Sequence, residues 1–524
     1  MHQHDTQLQM HQHQHDTQLQ ELRSLLSLFG PQFVRTKSFW QALVYAVVIG
    51  ILLGVVALLF FNLFEESAHL MWNTDEYQEH IKLARNHSKA QQQWGVAGEW
   101  WYVSLCSGGG LAVGSIKLLW SSMRPTPFPK NPPSLVIEVK DLHVHDPPTA
   151  LPIMLCSAVG LACGCSVGPE AALGAVGGAI GTVLGPHFVH SSDSSDCSDK
   201  SRLQLYVVIA MTAAFGPLLP SPVLAVMMMH ELGFATDAKP TAPFMEVVLL
   251  TGVASSVSYV LFVGLEGLTF LKVLKIPPFE LATMTKNWIP YYAHACWLGV
   301  LCGVGGLIGI GLLGLGKKMG SMVSNLLDRI HVHLGMLLTP CIGGMVIGLI
   351  ARWMPMTLGD GNAQLEIIVL NGLQKNPALS PSFFLVLGLC KMVALGVSLG
   401  FGFVGGQIFP LIFAGACLGT AMAQMTGLSA IFTLPCAMVA LPCAFTPVIF
   451  SLVSMVSVLM ALGGEATGPV FIASIFSYGT VCGLGVVQRA ISRQIDQLDG
   501  ASIVVESAAG EGETKEDSLL GRRK

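Results

Sequence analysis

The stretch Gly400-Phe401-Gly402-Phe403-Val404-Gly405-Gly406-Gln407-Ile408-Phe409-Pro410 lies inside an apolar block of membrane scale and opens a helix-like run. Backbone left unpaired in lipid is costly. Non-helical chain at bilayer depth survives only where protein buries it or a polar cavity meets it. Glycines that bare N–H groups just ahead of a helix build an anion site from main chain alone, and the helix dipole adds to it. A second such stretch, Cys163-Gly164-Cys165-Ser166-Val167-Gly168-Pro169-Glu170, lies in the first half. Two broken helices at corresponding places in two halves point to a transporter binding site.

Composition sets the solvent. The chain has 524 residues, 52% hydrophobic and 11% charged, with a mean hydropathy of +0.60. Soluble domains carry roughly a quarter charged residues, so this is an integral membrane protein. A span needs about 20 apolar residues. Apolar segments fall near 40–64, 100–120, 149–185, 203–229, 245–270, 292–316, 335–352, 382–401, 406–426, 429–462 and 467–487. Several are too long for one span and are broken by Gly and Pro, which predicts an all-α, polytopic protein of tilted, interrupted helices. The net charge of −4 says nothing about nucleic acid, and no basic aromatic patch suggests it, so no nucleic-acid partner is expected. The 13 cysteines are scattered through apolar segments without a C-x-x-C pair, as expected of reduced thiols packing as small apolar groups. Neither metal nor cofactor is expected.

Residues 1–38 form a His/Gln-rich tail in which His-Gln-His-Asp-Thr-Gln-Leu-Gln at 2–9 recurs at 13–20. Such a tract is expected to stay disordered. It is polar and lacks an apolar core, so no leader is expected before the first span. Two membrane halves follow, 39–280 and 281–488, divided near 275–290, with a short tail at 489–524. Arg23, Arg35 and Lys37 flank the first span, and Arg489 and Arg493 follow the last. Both termini are therefore expected on the cytoplasmic side. The halves echo each other: Pro169 precedes Gly174, Gly177, Gly178 and Gly181, as Pro410 precedes Gly415 and Gly419. Ala214-Phe215-Gly216-Pro217 is matched by Ala444-Phe445-Thr446-Pro447.

Intramembrane charges are few, and such groups default to functional or paired roles. Glu170 stands in the first turn after the first break, either as a cap on the helix N-terminus or as a vestibule charge. Lys391 precedes the second break by about two turns and either raises the local positive potential or is paired structurally. Glu231, beside His230, ends an apolar run. No H-E-x-x-H or paired intramembrane aspartates occur, so an enzyme is not expected, and an intramembrane hydrolase is the distant alternative.

With these motifs in order, the chain resembles the CLC family of chloride channels and chloride/proton antiporters over about 100–487. Lys391 through Pro410, with Ser398, Gly400, Gly405 and Gly406, is similar to the family run K-x(n)-S-x-G-x-x-G-G-x-F-x-P. Ser166 through Gly174 looks like the G-R-E-G-P helix start, and Leu358-Gly359-Asp360-Gly361 with Leu365-Glu366 is similar to the G-x-G segment of the second half. The resemblance implies two inverted-topology halves and a homodimer with one anion path per subunit. It implies chloride as substrate, facing the backbone of Ser166, Val167, Gly168, Gly406, Gln407 and Ile408.

Departures from the pattern shape the functional expectation. The family's gating glutamate falls on Val167, which carries no proton, and its inner proton glutamate falls on Leu232, next to Glu231. The phenylalanine of G-x-F-x-P is Ile408, with Phe409 one place late. Ser134 is the nearest counterpart of the anion-binding serine, and Tyr478 lies too early for the pore tyrosine. Passive chloride conduction without proton coupling is therefore expected. The alternatives are an antiporter that uses Glu170 or Glu231 instead, or a relative that has lost transport.

Overall fold

The computed structural model describes residues 34, 36–72, 100–124, 128, 147–188, 196–235, 243–267, 289–373 and 379–485. Ser134, the His/Gln-rich tail, the 275–290 divide and the C-terminal tail lie outside them. The described chain is helical: α1 (Lys37–Trp72), α2 (Trp101–Met123), α3 (Ala150–Ala162), α4 (Glu170–Phe188), α5 (Asp196–Phe215), α6 (Pro222–Ala235) and α7 (Phe244–Glu266) come first. The second series is α8 (Ile289–Ile330), α9 (Leu334–Trp353), α10 (Asn362–Leu373), α11 (Pro381–Gly400), α12 (Ile408–Thr426), α13 (Ala430–Cys443), α14 (Ile449–Leu459) and α15 (Gly464–Gly483). Nine of these described helices are long and apolar enough to span a membrane.

The long apolar segments of the sequence resolve at their Gly and Pro residues. The 149–185 block splits into α3 and α4, and 429–462 splits into α13 and α14. Pro381 starts α11 behind a Ser380 cap whose Oγ accepts from the Phe383 N–H at 3.4 Å, a position where a missing N–H costs nothing. At 42 residues α8 is about 63 Å long, roughly twice a hydrocarbon core. It must tilt and project beyond the bilayer.

The packing repeats itself. In the first half α1 packs on α7 and α4 on α5; in the second α8 packs on α15 and α12 on α13. Across the halves α2 packs on α9 and α6 on α14, the self-pairing that a two-fold relation between halves requires. Small residues let these helices touch. Gly110 and Gly114 of α2 abut the Pro340 and Leu337 backbone, while Gly344 and Gly348 of α9 abut that of Cys106 and Val103. Close backbone approach of this kind substitutes for the hydrophobic drive that lipid does not supply. One helix is set apart: α12 is buried over 83% of its apolar window, against 33–56% for the other eight candidate spans. It is wrapped by protein rather than lipid, and its N-terminus is the second break.

Candidate anion site

The two breaks meet. Gly168 N–H donates to Gly406 O at 2.8 Å and Gly406 N–H donates back to Gly168 O at 2.7 Å, the one isolated bridge among the described residues. Four residues ahead of each bridging glycine stands another with a left-handed backbone, Gly164 (φ 88°) and Gly402 (φ 93°), a region that L side chains resist. The register between halves is thus Gly164 with Gly402 and Gly168 with Gly406. It places Gly177 opposite Gly415 and Gly181 opposite Gly419. The Pro169–Pro410 alignment read from the sequence is therefore displaced by three residues.

The same register pairs Val167 with Gly405 and Glu170 with Ile408. Val167 is fully buried, and a Cβ on Gly405 would run into its side chain. There is room for one side chain at this point of the bridge, and the first half supplies it. The valine therefore packs between the halves.

Glu170 takes the space beyond. It begins α4, is 2% exposed, and turns its carboxylate across to the other half. Oε1 accepts from Ile408 N–H at 3.0 Å and Phe409 N–H at 3.3 Å, and Glu170's own N–H also bonds the carboxylate. A Cβ at Gly168 or Gly406 would strike that carboxylate. Oε2 has no hydrogen-bond partner among the described residues. Two helix N-termini thus converge on one anionic group, each contributing N–H donors and a favourable dipole. The carboxylate occupies the donors that two converging helix N-termini present.

Three of the N–H groups expected to face the anion are paired within the protein. Ser166 N–H donates to Ser398 Oγ at 3.1 Å, Val167 N–H to Cys165 O at 3.0 Å and Gly168 N–H to Gly406 O. Gly406 N–H is also taken. The second-half donors at the start of α12, Ile408 and Phe409, are those bound to the carboxylate, with Gln407 as the residue before the helix. Phe409 was missed because the family phenylalanine was sought one place earlier.

Buried lysines hold the freed carbonyls around the breaks. Lys391 Nζ donates to Thr357 O at 2.9 Å and Gly359 O at 2.6 Å and lies over the Phe413 ring. Gly359 N–H in turn donates to Gly164 O at 3.0 Å. Lys117 Nζ donates to Gly402 O, and Trp72 Nε1–H to Ala162 O at 2.6 Å. Asp360, buried between, accepts from Asn362 N–H at 3.2 Å and interacts electrostatically with both Lys391 and Glu170. Lys117 went unread as a site residue, although a lysine inside an apolar segment is itself the signal.

Glu231 is spent elsewhere. At the end of α6 it caps α14: Phe450 N–H donates to Oε1 and Ser451 N–H to Oε2, both at 2.7 Å, and Ser451 Oγ adds a further bond. Leu232, the aligned inner position, is buried. Tyr478 is 37% exposed on α15. A narrow apolar cavity, walled by Leu218, Met228, Leu452 and Met455, runs between Glu170 and Ser451.

Residues 134–482 match the family described as voltage gated chloride channel, and the chain belongs to that family. Among curated relatives, "Putative ion-transport protein YfeO" of Escherichia coli O1:K1 is 23% identical over 344 residues, covering 64% of this chain and 71% of the relative. Its counterpart in Escherichia coli strain SMS-3-5 is 23% identical over 399 residues, covering 75% and 81%. Among solved structures, a slow cyanobacterial Cl⁻/H⁺ antiporter superposes with a TM-score of 0.60 at 17% identity, covering 87% of this chain and 99% of that one. A CLC-type fluoride/proton antiporter gives 0.59 at 16% identity, covering 83% and 94%. The fold is that of these transporters, and the protein is an integral, multi-pass membrane protein of an anion-transporting family.

Proposed function

We propose that the protein passes a small anion, chloride by default, through the site at the start of α12, and that Glu170 rather than Val167 is its gate. The observation that carries this reading is the Glu170 carboxylate on the Ile408 and Phe409 N–H groups. An anion and a carboxylate cannot share those donors, so the path opens when Glu170 takes up a proton or swings away. The protein acts as a homodimer with one path per subunit and both termini on the cytoplasmic side.

Transport in this reading is passive. A gate that accepts a proton makes flux acid-dependent, but exchange against protons also needs an inner group to hand the proton on. Leu232 carries none, and both oxygens of Glu231 are committed to the α14 cap. Chloride efflux and pH are recorded together in liposomes under an imposed chloride gradient. The reading expects efflux that speeds up with acidity and moves no protons uphill. Absence of any anion flux, or a cation flux, contradicts it.

One observation favours proton exchange as a second reading. The apolar cavity runs from Glu170 to Ser451, and Ser451 Oγ bonds Glu231, which sets the two carboxylates toward opposite ends of one narrow gap. The similar solved structures are themselves antiporters. Uphill proton movement driven by chloride, lost in both Glu170→Gln and Glu231→Gln, would establish it.

A further inference from the structure

A second cavity, of about 580 Å³, opens beside the other face of the Gly400–Gly402 turn, between the end of α2, the last third of α8 and the start of α9. Lys117 and Thr339 reach it from its depths. Phe128 and Phe401 give it apolar walls, and Lys317 lies toward its more exposed side. Its size falls in the range of about 300–1,000 Å³ typical of small-molecule sites, and far exceeds one halide.

Two polar groups there are incompletely used. Lys117 is 4% exposed, its ammonium bonds the Gly402 carbonyl and rests 5.2 Å from the Phe128 ring centroid, and further N–H donors remain on it. No described carboxylate lies within ion-pair distance of it, and none exerts an electrostatic influence on it, whereas Lys391 interacts electrostatically with Asp360. An ammonium held out of water without a counter-charge among the described residues favours an anionic partner. Thr339, 6% exposed, has a buried Oγ1 without a partner. Asp328 borders the same cavity, with Oδ1 held by Gly335 N–H at 2.9 Å.

We propose that this cavity binds an organic monoanion, a carboxylate on an aromatic or aliphatic body, with the carboxylate on Lys117 Nζ and Thr339 Oγ1 and the body between Phe128 and Phe401. The site is separate from the one at Ile408. Because Gly402 lies four residues before the bridging Gly406, occupancy would stiffen the turn that carries α12. That consequence for flux rests on the transport reading; the binding itself does not.

The test is calorimetric titration of the purified full-length protein with 1-naphthoate, and with 1-naphthamide as the uncharged analogue of the same shape. Saturable binding of the acid is expected, with the amide at least tenfold weaker. Lys117→Met should weaken the acid at least tenfold, Thr339→Val several-fold, and Ser321→Phe, which fills the cavity from its α8 wall, should abolish it. Equal affinity for acid and amide, no binding of the acid, or full binding to Ser321→Phe would overturn the proposal. Should Lys117→Met fail to fold, the acid-to-amide ratio and Ser321→Phe decide. None of these readings requires flux, so a protein that binds naphthoate but passes no anion sinks only the transport reading.

Discussion

Replacing Glu170 by glutamine separates the charge of the gate from its shape. The amide oxygen can keep both acceptor contacts, to Ile408 N–H and Phe409 N–H, so the two helix ends stay covered and the fold should persist. What changes is their strength. Hydrogen bonds to a charged acceptor contribute roughly 1.5–3 kcal/mol each and neutral ones roughly 0.5–1.5. Across two bonds the closed state loses on the order of 2 kcal/mol, which is about 30-fold in competition with a free anion. We expect chloride, titrated calorimetrically at neutral pH, to bind Glu170→Gln about 30-fold more tightly than the native protein. Efflux should follow suit: the native rate rises as pH falls, because protonation discharges the carboxylate, whereas the variant is fast and flat with pH. Affinities within twofold of each other, together with the same pH slope in both proteins, would refute the gate assignment.

Other perturbations test the surroundings. Val167→Glu puts a carboxylate where Gly405 leaves room for a valine alone; uncompensated buried charge costs roughly 3–5 kcal/mol, so folded yield by size-exclusion should drop sharply, and a well-folded variant with slowed chloride flux would return the gate to position 167. Lys391→Met removes two charged hydrogen bonds and strands Asp360, so the midpoint of thermal inactivation should fall by several degrees, with Lys391→Arg recovering part of it; an unchanged midpoint would show that the carbonyls find other donors. Glu231→Gln weakens the α14 cap by about 1 kcal/mol and should lower stability while leaving the chloride rate within twofold. A selective loss of proton movement in that variant, at native stability, would instead support the exchange reading.

Much of the architecture is legible in the chain. The apolar blocks, the breaks at 163–168 and 400–407, and their duplication are written as hydropathy and glycine placement, because lipid forces every backbone group to be paired and so restricts the chain to helices and protected breaks. Position-by-position reading from the family pattern was less informative. It put weight on Val167 because that residue occupies the place of a gating acid. It reached Glu170 only as a possible substitute, and it assigned open N–H groups to Ser166, Val167 and Gly168, which bond within the protein. Lys117 and Asp360 carried their signal as charges inside apolar surroundings, but nothing local says which carbonyl or carboxylate such a charge will meet.

The sequence by itself determined that this protein is all-α, spans a membrane, and contains two glycine-rich helix starts. Those properties depend on local composition and period. Only the tertiary structure decided which residue confronts those helix starts. Glu170 and Ile408 are 238 positions apart, and their meeting depends on the Gly168–Gly406 bridge, which fixes the register of the two halves. The proposed gate is a contact between halves, and a contact of that range exists only once both have packed.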